Sequence, residues 1–205
     1  MRTITALILL LTLDNLYSQS QPALTSRLDS FFHLQSADKP GFLLSIEKHG
    51  EVIYHNAVGL ASLDTRQPLD STSNFRMASV TKQFTAMGIL LLEKKGMLSF
   101  DDPIGRWLPE LPARIGRTIL IRHLLTHSSG LLDYENLIPA SQTTQVLDAD
   151  VLRLLSTRDS TLFPPGSRFR YSNTGFCLLA LIIERASHDP YTSFIRKNIF
   201  QPLRM

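Results

Sequence analysis

The chain has 205 residues, 43% hydrophobic and 19% charged, with a net charge of +3 and a single cysteine. That balance suits one globular domain with a sizeable core. Without a Lys/Arg-rich block it gives nucleic-acid binding no support, and no run reaches the roughly 20 apolar residues of a membrane span.

Taken in chain order, the first residues, "MRTITALILLLTLDNLYSQSQ", have the build of a secretory signal: Arg2, an apolar stretch from Ile4 to Leu13, then small residues at Ser18 and Ser20. Residues 1–20 are expected to be a signal peptide, cleaved near Ser18 or Ser20, so the mature chain is expected outside the cytoplasm, periplasmic or extracellular. No cysteine lies near the cut, so lipid anchoring is not expected. "PALTSRLDSFFHL" follows as an amphipathic helix with Leu24, Leu28 and Phe31 facing inward. "GFLLSIEKHGEVIYHNAVGLAS" predicts two strands joined at His49-Gly50.

A polar, turn-rich crossing leads to "FRMASVTKQFTAMGILLLEKKG", where a helix is predicted from Ser79 to Lys95 with Gly96 as its C-terminal cap. Its middle is apolar on almost every side, which predicts burial. "LSFDDPIGRWLPELP" is irregular, and "TILIRHLLTHSSGLLDYEN" predicts a short helix running into a turn at Gly130. "DADVLRLLSTR" predicts a helix opened by Asp148 or Asp150, and "TGFCLLALIIERAS" a buried helix beginning near Ser172. "DPYTSFIRKNIF" predicts a last amphipathic helix. Cys177 reads as a small core residue.

Ser79 and Lys82 stand three apart on a helix and therefore share one face. Desolvation disfavours the charged form of a lysine, which makes Lys82 a base for the Ser79 hydroxyl. A second pair with the same spacing, Ser45 and Lys48, lies on a strand, where that spacing puts the side chains on opposite faces. An acylating serine also needs a proton relay and polar groups that hold the substrate. Tyr171 and Asn173, abutting the start of a buried helix, can supply a phenol and a carboxamide. The similar triplet Tyr134-Glu135-Asn136 falls in a polar turn with no buried helix behind it, and is set aside. His123 and His127 lack the glutamate that a zincin helix places after its first histidine, and they read as structural. Asp101-Asp102 before Pro103 reads as a turn signal.

Five segments, "FRMASVTKQFTA", "GMLSFDDPIGRWLPELP", "IRHLLTHSSGL", "FPPGSRFRYSNTGFCLLALIIE" and "IFQPLRM", together resemble the serine β-lactamase and penicillin-binding superfamily, in particular its class C-like and esterase-like members, over roughly residues 24 to 205. The resemblance implies an α+β fold in which a helical region packs on an antiparallel sheet. It implies an enzyme with Ser79 as nucleophile, Lys82 as the group that deprotonates it, Tyr171 as proton relay and Asn173 as the substrate-orienting amide. It places "THSSGL" in a structural turn near the cleft, and implies neither metal nor organic cofactor. Substrates would be β-lactams, D-amino-acid peptides of the cell wall, or small esters.

Arg204 stands where such families usually show glycine. The superfamily continues with further strands, one bearing a Lys/His-x-Gly motif whose backbone N–H is the second oxyanion donor. The sequence is therefore expected to be a truncated or split form, weak or inactive alone. A non-catalytic binding or sensor module, or a decayed fragment retaining the cleft, is the alternative expectation.

Overall fold

A computed structural model describes residues 24–32 and 37–205; the expected signal segment lies outside them. By its internal contacts the chain divides into two compact units, meeting between Arg76 and Met77.

In the first unit, helix α1 covers residues 24–32. Its buried aromatic is Phe32, whereas Phe31 is 74% and Leu24 40% exposed, so of the three residues expected to face inward only Leu28 is partly covered. Leu24, Leu28 and Phe32 continue the i, i+4, i+8 line, and only Phe32 finds ring partners. It stacks on Phe42 with centroids 4.8 Å apart and lies 5.8 Å from Tyr54. The Tyr54 hydroxyl then donates to Asp29 Oδ1 at 2.8 Å, tying α1 to the sheet. The predicted hairpin is present as β1 (Phe42–Lys48) paired antiparallel with β2 (Glu51–Val58), with a bulge between Ile46 and Glu47. Its turn residues His49 and Gly50 both have positive φ, +54° and +83°, as a two-residue hairpin turn requires. A small second ladder joins β3 (Leu60–Ser62) to β4 (Gln67–Pro68).

The second unit is helical. Helix α2 (Thr81–Lys94) is preceded by a 3₁₀ turn at Ala78–Val80, and Gly96 (φ +69°) ends it. The Gly96 N–H donates to Glu93 O at 2.8 Å and the Met97 N–H to Leu92 O at 3.0 Å, a Schellman closure. Short helices α3 (Ala113–Thr118) and α4 (Ile121–Leu125) follow, then α5 (Asp148–Ser156), α6 (Asn173–Ser187), α7 (Tyr191–Ile195), a π turn at Arg196–Phe200 and α8 (Gln201–Leu203). Asp150 caps α5 by accepting from the Leu147 N–H at 2.9 Å. Helix α6 is the centre of the unit: Leu178, Leu179, Ile182 and Ile183 are fully buried, and α2, α4, α5 and α7 all pack on it.

Gly88 lets α2 come close to α6, since a Cβ there would lie 2.8 Å from Ile183 Cδ1. The all-round burial expected of α2 is not observed, because Met87 and Leu90 are about half exposed while Ile89 and Leu92 are fully buried. Only the stripe facing α6 is covered. The α+β composition expected from the sequence is thus present, with small antiparallel sheets before Arg76 and helices after it.

Candidate active site

Every expected site residue lies in the helical unit, at the N-terminal ends of α2 and α6. Ala78 has φ +44°, a left-handed conformation that costs an L-residue about 1–2 kcal/mol. This bend keeps Ser79 out of α2 proper and in the 3₁₀ turn, where the sequence predicted unbroken helix from Ser79 onward. Lys82, in the first turn of α2, still lies one turn below it, and its Nζ donates to Ser79 Oγ at 3.3 Å. The same Nζ donates to Asn173 Oδ1 at 2.6 Å. From the other side the Tyr171 hydroxyl donates to Ser79 Oγ at 2.7 Å. Ser79 and Tyr171 are exposed, whereas Lys82 and Asn173 are half-buried.

Helix α6 places the second half of the constellation. Ser172 caps it, with its Oγ accepting from the Gly175 N–H at 3.4 Å, and Asn173 is its first residue. Tyr171 is held just ahead of the cap by the turn after α4. His127, at φ +54°, accepts the Arg170 N–H on its carbonyl at 2.8 Å and the Ser172 N–H on Nδ1 at 3.2 Å. Its ring also lies against Tyr171, centroids 4.6 Å apart and 32° between planes. Burial first, and then the neighbouring Lys82 charge, hold His127 below the ordinary imidazole range, so it stays a neutral acceptor near neutral pH.

The structural role expected of His127 is therefore specific: it sets the position of the phenol. Lys82 Nζ sits 4.9 Å from the Tyr171 ring centroid. Hydrogen bonding to Lys82 first and to Ser79 second lowers the Tyr171 hydroxyl below the ordinary tyrosine range. A phenol so placed passes a proton more readily at neutral pH than a free one.

The turn set aside in the sequence belongs to the site. Tyr134–Asn136 forms a 3₁₀ turn packed on the N-terminus of α6. There Thr174, fully buried, donates from Oγ1 to Leu132 O at 2.9 Å and accepts the Tyr134 N–H at 2.9 Å. This double bond to the backbone brings Glu135 to Asn173, whose Nδ2 donates to Glu135 Oε1 at 2.6 Å. Glu135 and Thr174 are the residues that sequence reasoning missed. The available signal was a threonine directly after Asn173 in the first turn of a buried helix, where its hydroxyl needs partners.

Behind Lys82 lies a half-open cavity of about 240 Å³, bordered also by Thr85, Asp148, Cys177 and Tyr191. Tyr191 and Thr85 share a hydrogen bond at 2.7 Å. Burial raises the Asp148 carboxyl and pushes the Cys177 thiol far up, so Cys177 remains a protonated packing residue. Among the described residues no group of three or more His, Cys, Asp or Glu is arranged to hold a metal ion. His123 spends Nδ1 on the Leu120 N–H at 3.2 Å, the structural role expected of it. Asp102 accepts from the Ser99 N–H, Arg106 and Trp107, as a turn carboxylate should. Ser45 and Lys48 lie on β1, which belongs to the first unit, whereas Ser79 and Lys82 belong to the second.

Ser79 Oγ thus has two neighbouring donors, the Tyr171 hydroxyl and a lysine a turn away, and residues 28–205 match the family model described as Beta-lactamase. The chain belongs to the beta-lactamase family. Within it, the chain is 42% identical to penicillin-binding protein 4* of Bacillus subtilis, over 76% of its own length and 35% of that protein's. It is 34% identical to esterase EstB of Burkholderia gladioli, over 92% and 52% of the two chains. Among solved structures it superposes on D-amino acid amidase from Ochrobactrum anthropi with a TM-score of 0.69 and 33% identity, covering 80% of this chain and 45% of that one. The chain thus spans between about a third and a half of the length of these beta-lactamase-family relatives. Among the described residues no helix is long and apolar enough to cross a membrane.

Proposed function

We propose that the protein is an exported serine hydrolase that works through an acyl-enzyme on Ser79. The observation that carries this reading is the convergence of Tyr171 and Lys82 on one hydroxyl, at 2.7 and 3.3 Å. Lys82, in its amine form, takes the Oγ proton as the Oγ–carbonyl bond forms. The proton then moves by way of the Tyr171 phenol to the departing nitrogen or oxygen as its bond to the carbonyl breaks. Water, deprotonated by the same groups, releases the acyl product and restores Ser79. Asn173 orients the substrate carbonyl, and the reaction calls for no metal.

The names of the relatives, a penicillin-binding protein, an esterase and a D-amino acid amidase, support β-lactams, small esters and D-amino-acid amides or peptides as the substrate classes. Export rests on the apolar stretch from Ile4 to Leu13 behind Arg2. The test is a substrate panel holding a chromogenic β-lactam, a short-chain ester and a D-amino-acid amide. At least one should be turned over, however slowly, by the wild type and not by Ser79→Ala. Equal turnover by both proteins would refute the proposal.

A further inference from the structure

We propose that Glu135 is a positioning residue: it fixes which way the Asn173 carboxamide faces, and so holds Lys82 against Ser79. The inference rests on the acyl-enzyme reading given above. A carboxamide has an acceptor end and a donor end of nearly the same shape, so packing alone does not choose between its two orientations. The donor and the acceptor on either side choose here. Asn173 Oδ1 faces the Lys82 Nζ at 2.6 Å, and Nδ2 faces the Glu135 carboxylate at 2.6 Å. Turning the amide over would aim its NH₂ at the N–H groups of the lysine and its carbonyl oxygen at a carboxylate, losing both hydrogen bonds at once.

The support is built into the chain. Thr174, next to Asn173, binds Leu132 O and the Tyr134 N–H, so the turn that carries Glu135 is bonded to the same helix end that carries the amide. An amide nitrogen has two protons, and Glu135 takes one. The other can then serve a substrate carbonyl. Glu135 itself is exposed and forms no part of the core, so its work is on the amide and not on the fold.

The test compares Glu135→Ala with Glu135→Gln in the full chain. Glutamine keeps an acceptor oxygen at the same reach, and alanine removes it. The rate at which a fluorophosphonate probe labels Ser79 should fall about tenfold to a hundredfold in Glu135→Ala and less than about threefold in Glu135→Gln, with thermal unfolding unchanged in both. Labelling of Glu135→Ala at the wild-type rate overturns the inference, and so does a Glu135→Gln as slow as the alanine variant. If the wild type itself gives no Ser79 adduct, the acyl-enzyme reading fails, and NMR of the Asn173 carboxamide decides the positioning separately. Slowly exchanging NH₂ protons in the wild type and Glu135→Gln, lost in Glu135→Ala, support it. Identical carboxamide signals in the wild type and Glu135→Ala overturn it.

Discussion

Replacing Lys82 with methionine keeps an unbranched apolar stem, with sulfur in place of Cδ, and removes Nζ. Four contacts go with it: the 3.3 Å bond to Ser79 Oγ, the 2.6 Å bond to Asn173 Oδ1, and the placement of Nζ 4.9 Å from the Tyr171 ring and 5.5 Å from the Phe176 ring. For stability the largest of these is the short bond to Asn173. Both partners are half-buried, so water can replace the lost donor, and the expected cost is about 1 kcal/mol, the low end for an orphaned acceptor.

For reaction the effect is larger, because a positioned base contributes about a hundred- to ten-thousandfold, equivalent to roughly 3–5 kcal/mol. Ser79 labelling should therefore collapse while the variant remains folded. The Tyr171 phenol gives a second readout that needs no turnover. Lys82 is the first cause of its lowered titration, so ultraviolet titration should show the midpoint moving up toward 10 in Lys82→Met. A variant that labels at the wild-type rate, or a Tyr171 midpoint that does not move, would refute the assignment of Lys82 to this hydroxyl.

Other outcomes follow from the same geometry. Thr174→Val keeps the shape of a fully buried side chain and orphans both Leu132 O and the Tyr134 N–H; urea unfolding should show a loss of about 1–3 kcal/mol, and a neutral result would contradict the anchoring of the turn. Ala78→Val puts a β-branched residue at φ +44° and should lower stability by about 1–2 kcal/mol, whereas Ala78→Gly should not; equal thermal midpoints in the two variants would remove the strain argument. His127 is neutral and lowered in the folded state, so the unfolded chain binds the extra proton. Its contribution is complete above the ordinary value of 6.5 and is lost as pH falls below it. Denaturation series at about pH 7 and about pH 5 should show this decline, and His127→Gln should flatten it.

The parts of the fold and site that the sequence made legible are those set by local spacing. Ser79 and Lys82 meet because three residues make about one turn, and the bend at Ala78 shifts the start of α2 without parting them. Ser45 and Lys48 share that spacing, but a strand gives it no meaning. Asn173 and Tyr171 were recognisable because a polar triplet directly before an apolar helix is held by the helix cap. Glu135 was not, because its relation to Asn173 is made 38 positions away, through a threonine hydroxyl whose two backbone partners leave no pattern in the sequence. The left-handed Ala78 was equally hidden, since alanine favours the helical region and only the surrounding structure forces it elsewhere. Phe31 and Phe32 sit side by side, and periodicity could not say which would find Phe42.

The most direct measurement is the intact mass of the chain after exposure to a penicillin and to a fluorophosphonate, followed by peptide mapping. A single adduct on the peptide carrying Ser79, absent in Ser79→Ala and strongly slowed in Tyr171→Phe, is the predicted result. No mass increase with either reagent, or an adduct that persists in Ser79→Ala, would contradict acyl transfer at this serine.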